Sequence, residues 1–246
     1  AVILTYSEVS LPAWLSLSSS GLIQGTPTNK NVGNHTIVVR VTDEAGVSAE
    51  KTFNLTVNNV NDPPTLEEIP DASIDEDVAF SYQLTATDID ANVTNETLTY
   101  QNMSGPAWLN VSSTGLLSGT PTNDHVGTHS VTVKVTDSAG ATDTRTFQLT
   151  VNNTNDAPVF NFNPPTSINE DAAFSYQITA NDIDVNDVLT YQAIDLPDWL
   201  SLSSTGLLSG TTTNDHVGTH SVSVQVRDIE GATDTRTFSL TVNNVN

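Results

Sequence analysis

Apolar and polar residues alternate with a period of two along several stretches of the chain. Side chains of successive strand residues point to opposite faces, so this alternation predicts half-buried β-strands. Turn-forming sequences such as SSTG, GTPTND and DSAG separate the stretches, and no helical periodicity is present. The pattern therefore predicts an all-β chain. Its clearest examples are Phe80, Tyr82, Leu84 and Ala86, then Val131, Val133 and Val135, and then Phe147, Leu149 and Val151.

The chain repeats itself. Trp14, Trp108 and Trp199 each occupy the third position of a P-x-W-L sequence. A fixed period of this kind is typical of a tandem array of similar modules. Other residues recur at the same offsets: Tyr6, Tyr100 and Tyr191; Gly25, Gly119 and Gly210; Asp43, Asp137 and Asp228.

The repeat divides the chain into three modules: module 1 (residues 1–61), module 2 (62–155) and module 3 (156–246). About seven short strands in a module of roughly 90 residues are typical of an immunoglobulin-like β-sandwich. Module 1 lacks the segment that matches residues 62–94. We therefore expect it to be an incomplete sandwich, whose missing strands either precede Ala1 in a longer chain or come from another chain.

The chain is strongly acidic, with 29 acidic and 7 basic residues and a formal net charge of −22. This charge repels nucleic acids and anionic membranes, which excludes nucleic-acid binding. Either a well-solvated surface tolerates this net charge or bound cations neutralise it. Among such cations, Ca²⁺ prefers oxygen ligands. The chain contains no cysteine and no apolar run of 18 residues, so disulfides and membrane insertion are not expected.

Several sequences together resemble the dystroglycan-type cadherin-like repeat of large bacterial surface proteins and adhesins: SLPAWLSL, GLIQGTPTN, VTDEAG, FNLTV and NNVNDPP. The resemblance covers the whole chain. It implies tandem immunoglobulin/cadherin-like β-sandwiches, an extracellular or cell-surface location, a role in adhesion, and Ca²⁺ held between successive modules. The implied partners are other repeats of the same protein or neighbouring copies.

The two linkers between modules are rich in side-chain oxygens. Asn59, Asn61 and Asp62 stand at positions one, three and four of the first linker, and Asn153, Asn155 and Asp156 take these positions in the second. Such linkers are either solvated or bound to metal. A proline follows each one, at Pro63 and Pro158, which restricts the backbone and favours an extended junction.

Each complete module also contains a D-x-D pair, Asp88 with Asp90 and Asp182 with Asp184. In an extended backbone the two carboxylates of such a pair point to the same side and can reach one ion. Ca²⁺ takes six to eight oxygens, so the linker and the pair need further ligands.

The resemblance implies which further ligands these are. It adds Asp137 to the first junction, and Asp228 and Glu76 to the second. For Asp43, Asp137 and Asp228, the alternative is that each aspartate caps a turn in its D-x-x-G sequence.

The chain departs from the cadherin pattern at both junctions. Asn59 and Asn153 stand where the cadherin linker begins with Asp, and the cadherin D-R-E motif is absent. Asn123 and Asp124 lie near the place of that motif in module 2, whereas module 1 has Asn29 and Lys30 there. Since a lysine opposes a cation, we expect weaker binding at the first junction.

The chain shows no sign of an enzyme. It has no G-x-S-x-G, phosphate-loop or dinucleotide sequence. The D-x-D carboxylates recur with the modules, which favours architecture over glycoside hydrolysis. The histidine pairs His125 with His129 and His216 with His220 straddle a Val-Gly turn, so surface roles are expected for them rather than zinc binding.

The sequence leaves three functions open. The first is a structural and adhesive repeat array that calcium stiffens at the linkers. The second is calcium-dependent binding of surface glycans or polysaccharide, for which the P-x-W-L tryptophan would have to be exposed, although a core position is the favoured interpretation. The third is a subunit of an extracellular filament, in which a neighbouring chain completes module 1.

Overall fold

The computed structural model describes residues 3–91 and 96–245. Part of the variable loop between Asp90 and Tyr100 therefore lies outside the described residues. These residues form β-strands joined by turns and short 3-10 segments, so the all-β prediction is confirmed. Within the described ranges, no helix is long and apolar enough to cross a membrane.

Module 1 contributes five described strands, which form a three-stranded sheet in the order β1-β4-β5 and a two-stranded sheet of β2 and β3. The 3-10 segment Asn29–Asn31 precedes the long hairpin of this module. The strands are β1 (Thr5–Ser10), β2 (Leu15–Leu17), β3 (Ile23–Gly25), β4 (Gly33–Thr42) and β5 (Ser48–Val57).

The described residues of module 2 form nine strands rather than the expected seven, and three of these strands are only two residues long. A four-stranded sheet has the order β10-β13-β14-β7, a three-stranded sheet has the order β11-β12-β8, and β6 pairs with β9. The strands are β6 (Thr65–Leu66), β7 (Ala72–Asp75), β8 (Phe80–Gln83), β9 (Ala86–Thr87), β10 (Thr99–Ser104), β11 (Asn110–Val111), β12 (Leu116–Gly119), β13 (Gly127–Thr136) and β14 (Thr142–Asn152), with a 3-10 segment at Asn123–His125.

Module 3 repeats this arrangement with sheets in the orders β16-β23-β22-β19 and β17-β21-β20 and the pair β15-β18. The strands are β15 (Val159–Phe160), β16 (Ser167–Asn169), β17 (Ala173–Gln177), β18 (Ala180–Asn181), β19 (Thr190–Asp195), β20 (Leu200–Leu202), β21 (Leu207–Thr211), β22 (Gly218–Arg227) and β23 (Thr233–Asn243), with a 3-10 segment at Asn214–His216. The nine described strands of module 3 thus match the nine described strands of module 2.

The core of each complete module lies between its two larger sheets. In module 3, Val222, Val224 and Leu240 of the four-stranded sheet meet Phe174 and Leu208 of the three-stranded sheet in one buried cluster. In module 2, the alternating valines of β13 are fully buried, as the period-two pattern predicts. Burial of these apolar faces stabilises the sandwich.

The tryptophan of P-x-W-L supports this core from the edge. Trp108 is half-buried and packs edge-on against Phe80, with ring centroids 6.5 Å apart, and Trp199 packs in the same way against Phe174 at 6.2 Å. The packing agrees with the favoured core role for this residue.

The described residues form two compact units. The first comprises Ala1–Ser73, Ala79–Thr120 and Thr128–Thr150, and the second comprises Ile74–Val78, Pro121–Gly127 and Val151–Asn246. The residues of the first linker therefore lie in the first unit together with their neighbours from modules 1 and 2. Those of the second linker lie in the second unit with the end segments of module 2.

Candidate metal centres at the module junctions

The first linker is held by hydrogen bonds between amides and carboxylates. The backbone N–H of Asp62 donates to Oδ2 of Asp90 at 2.7 Å. The side-chain amide of Asn29 donates to Oδ2 of Asp62 at 2.7 Å and to Oδ1 of Asp90 at 3.1 Å. These bonds bring a linker carboxylate and a D-x-D carboxylate to one amide group. Asp90 is fully buried there.

The second linker has a similar arrangement, except that the amide contacts the linker residue Asn153 where the first linker offers Asp62. The backbone N–H of Asp156 donates to Oδ2 of Asp184 at 2.8 Å, and the amide of Asn123 donates to Oδ1 of Asp184 at 2.9 Å. Asn123 also lies 3.5 Å from Oδ1 of Asn153. The shared pattern shows that the repeat conserves this local geometry within the chain.

The D-x-D pairs lie in turns rather than in extended strands. Residues 89 and 90 form part of a turn, and residues 183 and 184 form a bend. The first aspartate of each pair accepts the backbone N–H of the second, at 2.8 Å for Asp88 and 3.0 Å for Asp182. The expectation of an extended backbone is therefore wrong, because the aspartate side chain folds back onto the main chain. The two carboxylates nevertheless remain close together.

Asp137 and Asp228 lie beside the linkers and also cap hairpin turns. Oδ1 of Asp137 accepts the N–H of Ala141 at 2.7 Å, and Oδ2 accepts the amide of Asn61 at 2.8 Å. In module 3, Asn155 makes the equivalent bond to Asp228 at 2.9 Å. One carboxylate oxygen of each aspartate thus accepts a backbone N–H of the turn, and the other accepts the amide of a linker asparagine. The turn-capping interpretation also applies to Asp43, whose Oδ1 accepts two backbone N–H groups.

Hydrogen bonding favours the charged form of these two aspartates. The bond from Asn61 is the main cause that lowers the pKa of Asp137 below its ordinary value of 3.8, and it outweighs the opposing effect of burial. Burial would raise the pKa of Asp228, but hydrogen bonds from Asn155 and from backbone N–H groups lower it overall.

Glu76 reaches the second junction from the strand-A segment of module 2. Its backbone N–H donates to the carbonyl of Asn152 at 3.1 Å, and its Oε1 accepts the N–H of Thr154 at 2.8 Å. The next residue, Asp77, turns the chain with a positive φ of 58°. Only 3% of Glu76 is exposed, and its Oε2 has no hydrogen-bond partner among the described residues.

Three groups of carboxylates in the described ranges have oxygens within 4.8 Å of one another. In the first unit the group is Asp88, Asp90 and Glu96. In the second unit, Asp184 belongs to two groups, one with Glu76 and Asp156 and the other with Asp182 and Asp187. Six predicted residues are thus brought together, whereas Asp62, Asp137 and Asp228 lie outside these groups. The other predicted residues, Asn59, Asn61, Asn153 and Asn155, carry no carboxylate.

Glu96 and Asp187 are acids that the sequence interpretation missed. Oε1 of Glu96 accepts the N–H of Ser138 at 3.0 Å, and Oδ1 of Asp187 accepts the N–H of Ile229 at 3.1 Å. Each acid therefore contacts the residue that follows the D-x-x-G aspartate. A signal was present in the sequence, because both acids stand four residues before the repeated tyrosine, here Tyr100 or Tyr191.

The surroundings of Glu96 carry further oxygens without partners. Burial is the main cause that raises the pKa of Glu96, and the nearby aspartates add to it, against the bond from Ser138. Glu96, Asn59 and Asn61 line a cavity of about 250 Å³. Oδ1 of Asn59 and Oε2 of Glu96 are buried and have no hydrogen-bond partner among the described residues, and the same holds for Oδ2 of Asp88.

These buried oxygens fit a hard cation such as Ca²⁺. Buried polar atoms normally have partners, so carboxylate oxygens without one mark a position that a ligand could satisfy. Oδ2 of Asp182 and Oε2 of Glu76 provide such atoms in the second unit. All donors in both sets are oxygens, as Ca²⁺ requires.

The histidines serve local structure instead. Nδ1 of His216 accepts the backbone N–H of Thr213 at 3.0 Å, and Nε2 of His220 lies 2.6 Å from the carbonyl oxygen of His216. His125 makes the bond equivalent to that of His216, from Thr122. The rings thus fix the 3-10 segments.

Comparisons with known proteins agree with the repeat pattern. A family model described as "Putative Ig domain" matches residues 2–58, 63–152 and 157–243. The serine-rich adhesin for platelets of Staphylococcus aureus strain MRSA252 is 33% identical over 150 residues, which cover 60% of this chain and 10% of the adhesin. The chain thus spans about a tenth of the length of this curated relative.

Solved structures share the fold. The PcdhgB3 EC1-4 structure has a TM-score of 0.63 at 16% identity, and the match covers 99% of this chain and 67% of that one. Mouse cadherin-23 EC22-24 has a TM-score of 0.57 at 20% identity, with 99% and 87% covered. At this level of identity the likeness shows an immunoglobulin/cadherin-like fold.

Proposed function

The chain belongs to the family described as "Putative Ig domain", and we propose that it is an extracellular adhesive repeat array whose linkers are fixed by Ca²⁺. Three consecutive matches to one family support the array, and the staphylococcal adhesin supports a surface location and a role in adhesion. This role requires no catalytic chemistry. The finer assignment to the dystroglycan-type repeat rests on the sequence resemblance.

The observation that carries the calcium proposal is the position of Glu76. Its carboxylate is almost fully buried, leaves Oε2 without a partner among the described residues, and lies within 4.8 Å of carboxylate oxygens of Asp156 and Asp184. Three carboxylates in such proximity repel one another, and a divalent cation removes this repulsion. The second junction would use these residues together with Asp182 and Asp187.

At the first junction the ligands would be Asp88, Asp90 and Glu96, with Asn59 beside them. The junction residue Asn29 donates to two of the carboxylates at this linker. Its N–H groups partly compensate the negative charge, so a cation would compete with this amide. The exposed Lys30 follows Asn29, whereas the exposed Asp124 follows Asn123 at the second junction, and this difference supports the expectation of weaker binding at the first.

Isothermal titration calorimetry with CaCl₂ tests the proposal. We expect a tighter and a weaker class of sites, and Glu76→Gln should weaken the tighter one. Glu170→Gln is the matched control, because Glu170 has the same strand position in module 3 and accepts the N–H of Val245, far in sequence from either linker. Absence of calcium binding in the low millimolar range, or equal effects of both variants, would contradict the proposal.

Small-angle scattering tests what the ion does for the linkers. We expect the addition of EGTA to increase the flexibility of the chain. At the second junction the ion would connect Glu76 of module 2 to Asp156 and Asp184 of module 3, and at the first it would connect Asn59 of the linker to carboxylates of module 2. Scattering curves that do not change between calcium and EGTA would remove the stiffening role even if calcium binds.

Bead aggregation tests adhesion between copies, which are the proposed partners together with other repeats. Beads coated with the chain should cluster with CaCl₂ and disperse with EGTA. If they stay dispersed under both conditions, adhesion between copies of this segment is excluded, and the segment would act as a spacer.

A further inference from the structure

The first segment of module 2 crosses from one sheet to another. Residues 67–71, the crossover of module 2, connect β6, which pairs with β9, to β7, which pairs with β14. At one end, the backbone N–H of Leu66 donates to Oδ2 of Asp143 at 2.9 Å. At the other end, the backbone N–H of Gln148 donates to Oδ1 of Asp71 at 2.7 Å. The crossover is therefore fixed to β14 at both of its ends.

A polar cavity lies between this crossover and β14. Its volume is about 470 Å³, and cavities of about 300–1,000 Å³ are typical of small-ligand sites. The cavity combines a guanidinium, two carboxylates and a hydroxyl with two apolar side chains. The lining residues are Glu68, Ile69, Pro70, Asp71, Arg145 and Thr146.

Module 3 uses the equivalent guanidinium in a different way. Arg236 is the counterpart of Arg145 in the repeat. Its Nη1 donates to the carbonyl oxygen of Phe162 at 2.6 Å, and its Cζ lies 4.6 Å from the centroid of the Phe162 ring. Both contacts bind Arg236 to the crossover of its own module.

The corresponding ring is absent from module 2, where Glu68 has the sequence position of Phe162. Nη1 of Arg145 donates to Oδ1 of Asp143 at 3.2 Å and to the carbonyl oxygen of Thr144 at 3.1 Å. Both acceptors belong to the strand of Arg145 itself. The exposed Glu68 and the guanidinium of Arg145 thus face the cavity that separates them.

The charges of the lining favour an uncharged ligand. An anion would be repelled by the carboxylates of Glu68 and Asp71 and by the net charge of −22 on the chain. A simple cation would be repelled by Arg145. A hydroxyl group, in contrast, can donate to a carboxylate and accept from a guanidinium. Hydroxyls on neighbouring carbon atoms therefore satisfy both kinds of lining group.

We propose that this cavity of module 2 binds a neutral saccharide. Hydroxyls of a sugar ring would connect the guanidinium of Arg145 to the carboxylates of Glu68 and Asp71 through charge-assisted hydrogen bonds. Ile69 and Pro70 would contact the C–H groups of the ring. The site uses none of the carboxylates grouped at the two junctions, so it adds a ligand to the array independently of calcium.

Titration of the whole chain with neutral sugars in EGTA tests the proposal. The probes are D-glucose, D-galactose, D-mannose and L-fucose, and amide chemical shifts report where they bind. We expect saturable binding of at least one sugar, with a Kd on the order of 1–10 mM. Shifts should change at residues 68–71 and 144–147 and stay constant at the equivalent residues 162–165 and 235–238. D-glucuronate, which carries a carboxylate on the same ring as glucose, should not bind.

Matched variants of two neighbouring acids separate the cavity from the surrounding surface. Glu68→Gln keeps the size of the side chain but removes its charge, and it should weaken binding by about five- to tenfold. Glu67→Gln makes the same change at a residue whose Oε2 instead accepts the hydroxyl of Thr85 at 2.6 Å. It should leave the affinity within about twofold. Both acids are exposed, so circular dichroism should show folded chains in both cases.

A third variant tests the guanidinium. Arg145→Lys keeps the positive charge but removes the planar group that can donate to two neighbouring hydroxyls, and it should weaken binding by about tenfold. Unchanged affinity in this variant would contradict the role of Arg145.

Several results would overturn the proposal as a whole. These are the absence of saturable binding of all four sugars, shift changes confined to residues outside 68–71 and 144–147, or equal weakening by Glu68→Gln and Glu67→Gln. Tighter binding of D-glucuronate than of every neutral sugar would also overturn it, because the site would then recognise anions. Calcium binding is measured separately by calorimetry, so none of these results affects the proposed function of the linkers.

Discussion

Asn155 donates a hydrogen bond of 2.9 Å from Nδ2 to Oδ2 of Asp228, which joins the second linker to a hairpin turn of module 3. Asn61 and Asp137 make the equivalent bond at 2.8 Å in module 2. The bond links two repeated features of the sequence, the NDxP-type linker and the D-x-x-G turn. Each linker is thus attached to the module that follows it, even without a metal ion.

The hydrogen bond from Asn155 should help to keep the pKa of Asp228 low. We expect Asn155→Ala to raise the pKa of Asp228 toward 3.8, because an important donor to the charged carboxylate is lost. The pKa is lowered in the folded chain, so the associated stability is present above pH 3.8 and is lost as the pH falls through the lowered value. Carboxyl NMR titration in EGTA measures the change.

Asn61→Ala provides the matched control for that titration. It should raise the pKa of Asp137 and leave that of Asp228 unchanged. If Asn155→Ala left the titration of Asp228 as it is in the parent chain, the hydrogen bond would not be the cause of its lowered pKa.

Gly119→Ala should destabilise module 2. A Cβ atom at this position would lie 2.2 Å from the carbonyl oxygen of Trp108 and 2.8 Å from its Cε3 atom, so the backbone would have to move. We expect a loss of about 1–3 kcal/mol in the free energy of unfolding. Urea denaturation followed by circular dichroism measures it.

Gly105→Ala is the control in the same module. Its Cβ would lie 3.6 Å from the methyl groups of Val131, an ordinary contact. The free energy of unfolding should therefore change by no more than about 0.5 kcal/mol. Equal destabilisation by both variants would contradict the close approach of Gly119 to Trp108.

Exposed charged residues near the linkers should change the affinity of the junctions for calcium. Lys30 and Asp124 are both exposed and occupy equivalent positions beside Asn29 and Asn123. Lys30→Asp should strengthen binding at the first junction by up to about fivefold, since surface charges contribute less than about 1 kcal/mol. Asp124→Lys should weaken the second junction by a similar factor. Calorimetry at low and high salt measures both effects, and affinities that shift in the opposite directions would refute this assignment.

Phe147 and Phe53 occupy equivalent positions but differ in burial, and this difference should show in their contributions to stability. Phe147→Ala removes a side chain that is 3% exposed and should lower the free energy of unfolding by about 3–5 kcal/mol. Phe53→Ala removes a side chain that is 39% exposed and should lower it by about 1–2 kcal/mol. Urea denaturation of the two variants measures the difference. Equal losses would contradict the difference in burial between the two side chains.

Much of the candidate site followed from local sequence. The D-x-D pairs, the linkers and Glu76 could be named because their residue types recur with the modules. Glu96 and Asp187 were missed because they lie beyond a loop of different length in the two modules. The roles of Asn29 and Asn123 as donors to the carboxylates could not be inferred either, because each depends on contacts with residues about 60 positions away.

The sequence by itself determined the number of repeats, the all-β class and the inward-facing residues such as Val131 and Val133, because a period of two fixes which side chains share a face. Only the tertiary structure decided which oxygens converge. Burial and hydrogen bonding are properties of neighbours distant in the chain. Glu76 and Glu170 have the same local sequence position, yet only Glu76 joins two further carboxylates in the described residues.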